Sequence, residues 1–275
     1  MVNKFWFEAK KINCFKNGYR VIKNLDLKIA NSENVILIGP NGSGKSSLIE
    51  VINRNIYPVM ANESSLKIFN NELIDLWELR KRISTVNNDI KNRINPNLPV
   101  FDLILSGLYG KYGYISNKSE RDHYKVESLM ENMNISSLSK KCFSYLSEGE
   151  KQISLIARAL INKPNILILD EPIANLDYKS KFFVIDKINE LIKSNTKIFC
   201  VTHDISMITK IYDRVIMLKE GVVIADGNQK KIINSKNLNK LYGIDVEVIE
   251  NNGFWIIKRL SNDNYKNSDS NSSKN

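Results

Sequence analysis

Cysteine is scarce in this 275-residue chain: Cys14, Cys142 and Cys200 are an odd number at wide spacing. That excludes a disulfide-stapled scaffold and fits a reducing compartment. Long apolar runs are missing as well, since no stretch approaches the ~18–20 apolar residues that a membrane-spanning helix needs. The opening MVNKFWFEAKKINCF lacks the roughly 7–15-residue apolar core and small-residue cleavage site of a secretory leader. The expectation is a protein that stays inside and meets any membrane through a partner. Glutamine is nearly absent, found only as Gln152 and Gln229.

What is present reads as an ordinary globular protein, 43% apolar and 25% charged, long enough to need no covalent staple. Forty basic residues against 30 acidic ones leave a net charge of +10, which invites a nucleic-acid reading. The chain also carries 36 asparagines, and the bias runs evenly from end to end without gathering into a patch. That evenness argues against a nucleic-acid partner.

The apolar run Val35–Ile38 leads into Gly39, Pro40, Asn41, Gly42, Ser43, Gly44, Lys45 and Ser46, then into Ser47 and a segment with helical spacing. A GxxxxGKS pattern between a buried strand and a helix predicts a phosphate-binding loop. Its glycines let backbone N–H groups face an anion at the positive end of the helix. Lys45 would reach the β- and γ-phosphates and Ser46 would ligate Mg²⁺. Downstream, Asn165–Asp170 reads as a second buried strand ending in two acids, Asp170 and Glu171. Consecutive side chains at a strand end diverge, so Asp170 can serve Mg²⁺ while Glu171 polarises an attacking water. Between them, Leu146-Ser-Glu-Gly-Glu150 opens a helical stretch, Lys151–Ile161, and Ser147 and Gly149 offer a second anion-binding helix start.

Taken together, these motifs resemble the nucleotide-binding subunit of an ATP-binding-cassette (ABC) system, over roughly residues 5–250. The resemblance rests on the phosphate loop 39–46, the signature 146–150, the acids 170–171, the D-loop Ala174-Asn-Leu-Asp177 and the switch histidine in Val201-Thr-His203-Asp, in the family's order. It implies ATP and Mg²⁺ as cofactors and a second cassette, most simply another copy, packed head to tail. Each ATP would lie between one subunit's phosphate loop and the other's Ser147 and Gly149. Asp177 would cross that interface, and His203 would contact the γ-phosphate and orient Glu171 or the water. An aromatic ring under the adenine is assigned to Phe15, with Tyr19 as the substitute. His123, in a polar context, reads as surface.

The chain departs from the family's pattern in several places. The glutamine that normally ligates Mg²⁺ in the Q-loop is absent, and Asn88, in Arg82–Asp89, falls at its position. The signature reads LSEGE where the family prefers LSGGQ, which would set Glu148 and Glu150 beside a neighbour's triphosphate. Ser47 and Ser32 replace the usual Thr and Gly. Lys45, Ser46, Asp170, Glu171 and His203 are all present, so hydrolysis is expected.

The expected fold class is α/β: a P-loop ABC-ATPase core with an antiparallel β subdomain and a helical insert. One nucleotide-binding domain should span residues 1–260. Residues 4–34 and 60–76 would form its antiparallel part and 35–59, 77–89 and 163–220 its α/β core. The helical insert would cover 90–162, and a C-terminal hairpin with tail elements 221–260, before a disordered tail at 261–275. Core strands are placed near 35–38, 83–86, 166–170, 197–201 and 215–218, and a short hairpin at Val222–Asp226. In the insert, Leu105–Ile115 carries three glycines and three tyrosines. Leu105–Gly110 resembles the segment after the Q-loop in bacterial cassettes of the molybdate- and iron-complex-related branch. Its tyrosines suit either a protein partner or core packing.

The leading functional expectation is an Mg²⁺-dependent ATPase that energises a separate multi-spanning membrane permease from the cytoplasmic face. A soluble assembly or repair accessory ATPase and a nonhydrolytic scaffold stand as alternatives. Against the coiled-coil repair relatives, only 102 positions separate Lys45 from Ser147.

Overall fold

The computed structural model describes residues 4–251 and 253–260. The expected tail at 261–275 lies outside them. Strands β1 (Phe5–Lys16) and β2 (Tyr19–Ala30) form a long antiparallel hairpin around Asn17 and Gly18, both at positive φ. Then come β3 (Val35–Ile38), α1 (Lys45–Ile52), β4 (Ser65–Ile68), α2 (Leu76–Arg82) and β5 (Ile83–Val86). Strand β4 pairs antiparallel with β1, which completes a three-stranded sheet ordered β2-β1-β4.

Helices α3 (Val100–Leu108), α4 (Glu120–Asn132) and α5 (Glu148–Leu160) follow. The signature helix therefore begins three residues earlier than its apolar periodicity predicts. Ser147 caps it through its side chain, a polar device that periodicity does not register. The chain continues through β6 (Ile166–Asp170), α6 (Tyr178–Lys193), β7 (Ile198–Thr202), β8 (Arg214–Lys219) and β9 (Val222–Gly227). The segment read as a hairpin of its own is the single strand β9, which turns back on β8 across Gly221. The described chain closes with α7 (Gln229–Ile232), α8 (Ser235–Tyr242) and the hairpin β10 (Val246–Asn251) and β11 (Phe254–Arg259).

The six-stranded sheet runs β5-β6-β7-β3-β8-β9, parallel except for β9. Its central strands are apolar without alternation because both faces are covered. Ile36, Ile38, Leu167, Leu169 and Cys200 point into a core shared with the helical insert and α6. Val35, Leu37, Ile168, Phe199 and Val201 point into a second core under the antiparallel sheet. The period-2 pleat thus divides one continuous apolar run between two cores. The α/β core with an antiparallel β subdomain and a helical insert expected from the sequence is the architecture observed.

Trp6 anchors the second core, with ring centroids 5.8 Å from Phe7, 6.4 Å from Phe69 and 6.0 Å from Phe199. It is fully buried and joins the antiparallel sheet to β7 of the central one. Trp6→Ala should cost about 3–5 kcal/mol in denaturant unfolding. A loss below about 1 kcal/mol would show that the two sheets do not depend on this contact.

Candidate functional site

The carboxyl ends of β6, β7 and β3 lie side by side, where open α/β sheets bind ligands. The registers Asp170↔Val201 and Ile38↔Thr202 bring Glu171, His203 and Gly39 to the same edge. The loop after β3 enters α1 through Gly44, which sits at φ 103°, and a Cβ there would lie 2.7 Å from the Val21 carbonyl oxygen. Strain and steric overlap both demand glycine. Lys45 is buried and donates to the carbonyls of Gly39 (2.8 Å) and Pro40 (3.1 Å), with its Nζ 3.6 Å from Glu171 Oε1. Burial pulls the ammonium below its ordinary value, against the opposing pull of Glu171 and Asp170. Asn41, Gly42 and Ser46 are exposed around the loop, Pro40, Gly44 and Ser47 are half-buried, and Ser43 is buried.

Glu171 adopts φ +51°, uncommon for a residue with a side chain and characteristic of strained functional positions. Its N–H donates to the Val201 carbonyl at 2.8 Å, which holds this turn against β7. Two donors converge on Oε2, Thr202 Oγ1 at 3.1 Å and the His203 backbone N–H at 3.3 Å, and His203 Nδ1 lies 2.9 Å from the same oxygen. Oε1 faces Lys45. The two carboxylate oxygens are therefore chemically distinct, one occupied by strand-end donors and one turned toward the phosphate loop.

Asp170 lies deeper. Burial, with Glu171 and Asp89 nearby, pushes its carboxyl up to about 6 despite the Lys45 charge. Its Oδ1 is buried with no hydrogen-bond partner, and so is Oδ1 of Asn87. The two residues follow the paired positions Val86↔Leu169 on adjacent strands, so they sit together at the sheet edge. Asn88, aligned with the missing glutamine, is exposed at the first position of a short 3-10 helix, Asn88–Arg93. Two orphaned buried oxygens at one strand edge suit an oxygen-seeking cation such as Mg²⁺.

The signature segment has partners of its own. Ser147 Oγ accepts the Glu150 N–H at 3.2 Å while its own N–H donates to Glu150 Oε2 at 2.8 Å. Glu148 is bound by Lys151 at 2.7 Å and Lys91 at 3.2 Å, and Glu150 by Lys141 at 3.2 Å. The lysine bonds lower the Glu148 carboxyl. Burial would raise that of Glu150, but the Ser147 N–H and Lys141 bring it below its ordinary value. The two acids that looked costly beside a triphosphate are thus compensated within the chain. Gly149 is buried, and a Cβ there would come within 3.2 Å of the Ser180 Cβ. A side chain here would have to push Ser180 aside by a few tenths of an ångström, so the close packing of α5 on α6 favours a residue as small as glycine. Asp177 caps α6, accepting from Ser180 N at 3.0 Å and Ser180 Oγ at 2.9 Å.

Phe15 is 48% exposed, which rules out core packing. It pairs with Arg20, next to the Val21 carbonyl that touches Gly44, so the hairpin end that carries it flanks the phosphate loop. Tyr19 is more exposed. His123 lies on the surface against Phe101, centroid to centroid 4.4 Å. Sequence reasoning missed Thr202, Asn87 and, farther on, Tyr242. A polar residue ending the buried run Ile198–Val201 was the one signal for Thr202.

The chain is similar to known ATP-binding proteins of one family. The ABC transporter family matches residues 22–174. The ABC transporter ATP-binding protein YmeB of Lactococcus lactis is 33% identical over 242 residues, 87% of this chain and 93% of its own. Among solved structures, cbiO1 of Clostridium perfringens, part of the ABC transporter complex cbiONQ, is 26% identical with a TM-score of 0.73, covering 86% of this chain and 94% of that one. MJ0796, a bacterial ABC transporter cassette solved as a dimer, is 27% identical with a TM-score of 0.65, covering 81% and 98%.

Because the folded Asp170 carboxyl sits above its ordinary value of 3.8, its favourable share in folding is intact below that value and lost as pH rises through about 6. In chelator, Asp170→Asn should therefore gain stability over wild type between about pH 4 and pH 7. A constant difference in denaturation midpoint across that range would contradict the burial of Asp170. With its strand-end acids, phosphate loop, signature helix and switch histidine arranged in this way, the chain belongs to the ABC transporter family, as an ATP-binding subunit.

Proposed function

We propose that two copies of this chain bind ATP and Mg²⁺ head to tail, hydrolyse the ATP, and drive transport through separate multi-spanning membrane subunits. One observation carries the chemical part: the Glu171 carboxylate is held at Oε2 by β7-end donors while Oε1 faces Lys45. An oxygen so placed is suited to accept a proton from a water attacking the γ-phosphate. Lys45 leaves the Gly39 and Pro40 carbonyls to meet phosphate oxygens, and the loop N–H groups and the start of α1 receive the rest of the chain of phosphates. His203 both positions Glu171 and stands ready to contact the γ-phosphate.

Among the described residues no group of three or more His, Cys, Asp or Glu is arranged to hold a metal. Magnesium would be held by Ser46, Asp170 and the amides of Asn87 and Asn88, together with the nucleotide's own oxygens. When bound it would neutralise charge between the β- and γ-phosphates. Phe15 would stack on the adenine. In the second copy, Ser147, Gly149 and Asp177 would complete the site.

No described helix is long and apolar enough to cross a membrane, so the membrane part of the machine would lie in other chains, with this one on the cytoplasmic face. The insert offers a docking region beside the residues of the Q-loop. Tyr109 and Tyr114 stand out with exposed rings while their hydroxyls bind Asp122 (2.7 Å) and the Asn97 carbonyl (3.2 Å). Tyr112 stacks under Arg158 at 4.3 Å.

The test is recovery of tagged Glu171→Gln protein from gently solubilised native cells in the presence of ATP, followed by mass spectrometry. Stoichiometric recovery of a multi-spanning membrane protein is expected. Recovery of soluble proteins alone, with the membrane fraction intact, would overturn transport in favour of an accessory ATPase.

A further inference from the structure

The switch histidine is gripped by a residue 39 positions farther along the chain. The Tyr242 hydroxyl, on the last residue of α8, donates to the His203 carbonyl at 3.2 Å. His203 is thus pinned on both sides of its Cα, because its N–H donates to Glu171 Oε2 at 3.3 Å. The next residue is fixed as well. Asp204 N donates to Thr202 Oγ1 at 3.0 Å, and its carboxylate accepts from Ser206 N–H at 2.9 Å and Lys181 Nζ at 2.9 Å. The short 3-10 helix that follows, Ile205–Met207, packs against β11.

Helix α8 is itself anchored, so its grip has something to pull against. The Lys219 ammonium at the end of β8 donates to the Lys240 carbonyl at 2.6 Å. Gly243 closes the helix in a left-handed conformation, its N–H donating to the Asn239 carbonyl at 2.8 Å. The Asn239 side chain accepts the Val246 N–H at 2.9 Å, which ties the helix to β10. The Trp255 indole of β11 reaches Gln229 at 3.4 Å, and Gln229 in turn donates to the Tyr212 carbonyl at 3.0 Å. Residues 229–251 and 253–260 therefore form a small bracket fastened to the central sheet, and among the described residues its one hydrogen bond to the switch segment comes from Tyr242. Burial, with Asp204 and Glu171 nearby, pushes the Tyr242 phenol up to about 12, so it remains a donor throughout the working range.

We propose that Tyr242 is a positioning residue for hydrolysis: its hydroxyl fixes the His203 backbone, and through it the imidazole against Glu171. It touches neither nucleotide nor water in this role. The proposal rests on His203 and Glu171 acting as described above. A purely structural tyrosine would affect melting temperature alone, whereas a positioning one acts through His203.

The decisive experiment is a double-mutant cycle on purified protein with Tyr242→Phe and His203→Ala, measuring kcat, KM for ATP and melting temperature. Tyr242→Phe keeps the ring and should lower kcat about fivefold, the effect of one modest hydrogen bond, with KM for ATP unchanged. On the His203→Ala background the same change should have no further effect on kcat. Wild-type kcat in Tyr242→Phe, or a fivefold loss that persists undiminished without His203, would overturn the proposal. If His203→Ala alone leaves kcat unchanged, the role given to the histidine fails first, and the brace on it is overturned with it.

Discussion

The Glu171 carboxylate is the point at which the separate parts of this structure meet. It stands where β6 ends beside β7, and the parallel register Asp170↔Val201 sets Thr202 and His203 within reach of Oε2. Donors gathered on one oxygen leave the other facing Lys45 of the phosphate loop. The Glu171 backbone is held at a strained φ of +51°, while its carboxylate is well partnered by the Thr202 and His203 donors and the Lys45 ammonium. Such strain persists only where the surroundings over-determine it. Here the surroundings are two fully packed cores, one on each face of the sheet, which fix the ends of the strands relative to one another.

The same logic explains the signature segment. Two acids stand where the resemblance leads one to expect Gly and Gln, and in isolation they would repel a triphosphate. The fold places Lys151 one turn along the helix from Glu148, Lys91 across from it, and Lys141 against Glu150. Glu150 also completes a capping box with Ser147 that fixes the start of α5. Exposed ion pairs of this kind add little stability. Their consequence is electrostatic, since they remove most of the negative field from the helix start. Lys91 follows directly from the Q-loop region, so one ion pair joins that region to the signature helix.

Much of this was legible in the sequence because phosphate chemistry is written locally. Gly39–Ser46, Asp170-Glu171 and Val201–His203 are each contiguous, and each sits at the end of an apolar run that could hardly be anything but a buried strand. Strand positions came within a residue or two for the same reason. What escaped notice was set by contacts distant in sequence. Asn87 matters because β5 lies beside β6, a pairing that no local pattern announces. Tyr242 bonds a residue 39 positions away, and nothing around it in Leu241-Tyr-Gly243 distinguishes it from any tyrosine at a helix end. The tyrosines of the insert were ambiguous because Tyr109 and Tyr114 have exposed rings with bonded hydroxyls while Tyr112 is partly buried against the core under Arg158, so both readings held part of the truth.

The central claim is that Glu171, poised by the end of β7, is the group that lets water attack bound ATP. The most direct measurement compares phosphate release by wild type and Glu171→Gln under saturating ATP and Mg²⁺, with nucleotide affinity determined on the same samples. Loss of a general base predicts a fall in turnover of about 10²–10⁴-fold. ATP affinity should be equal or tighter, because the amide keeps the shape of the carboxylate. Turnover within a few-fold of wild type would contradict the account, and the base would then have to be sought elsewhere.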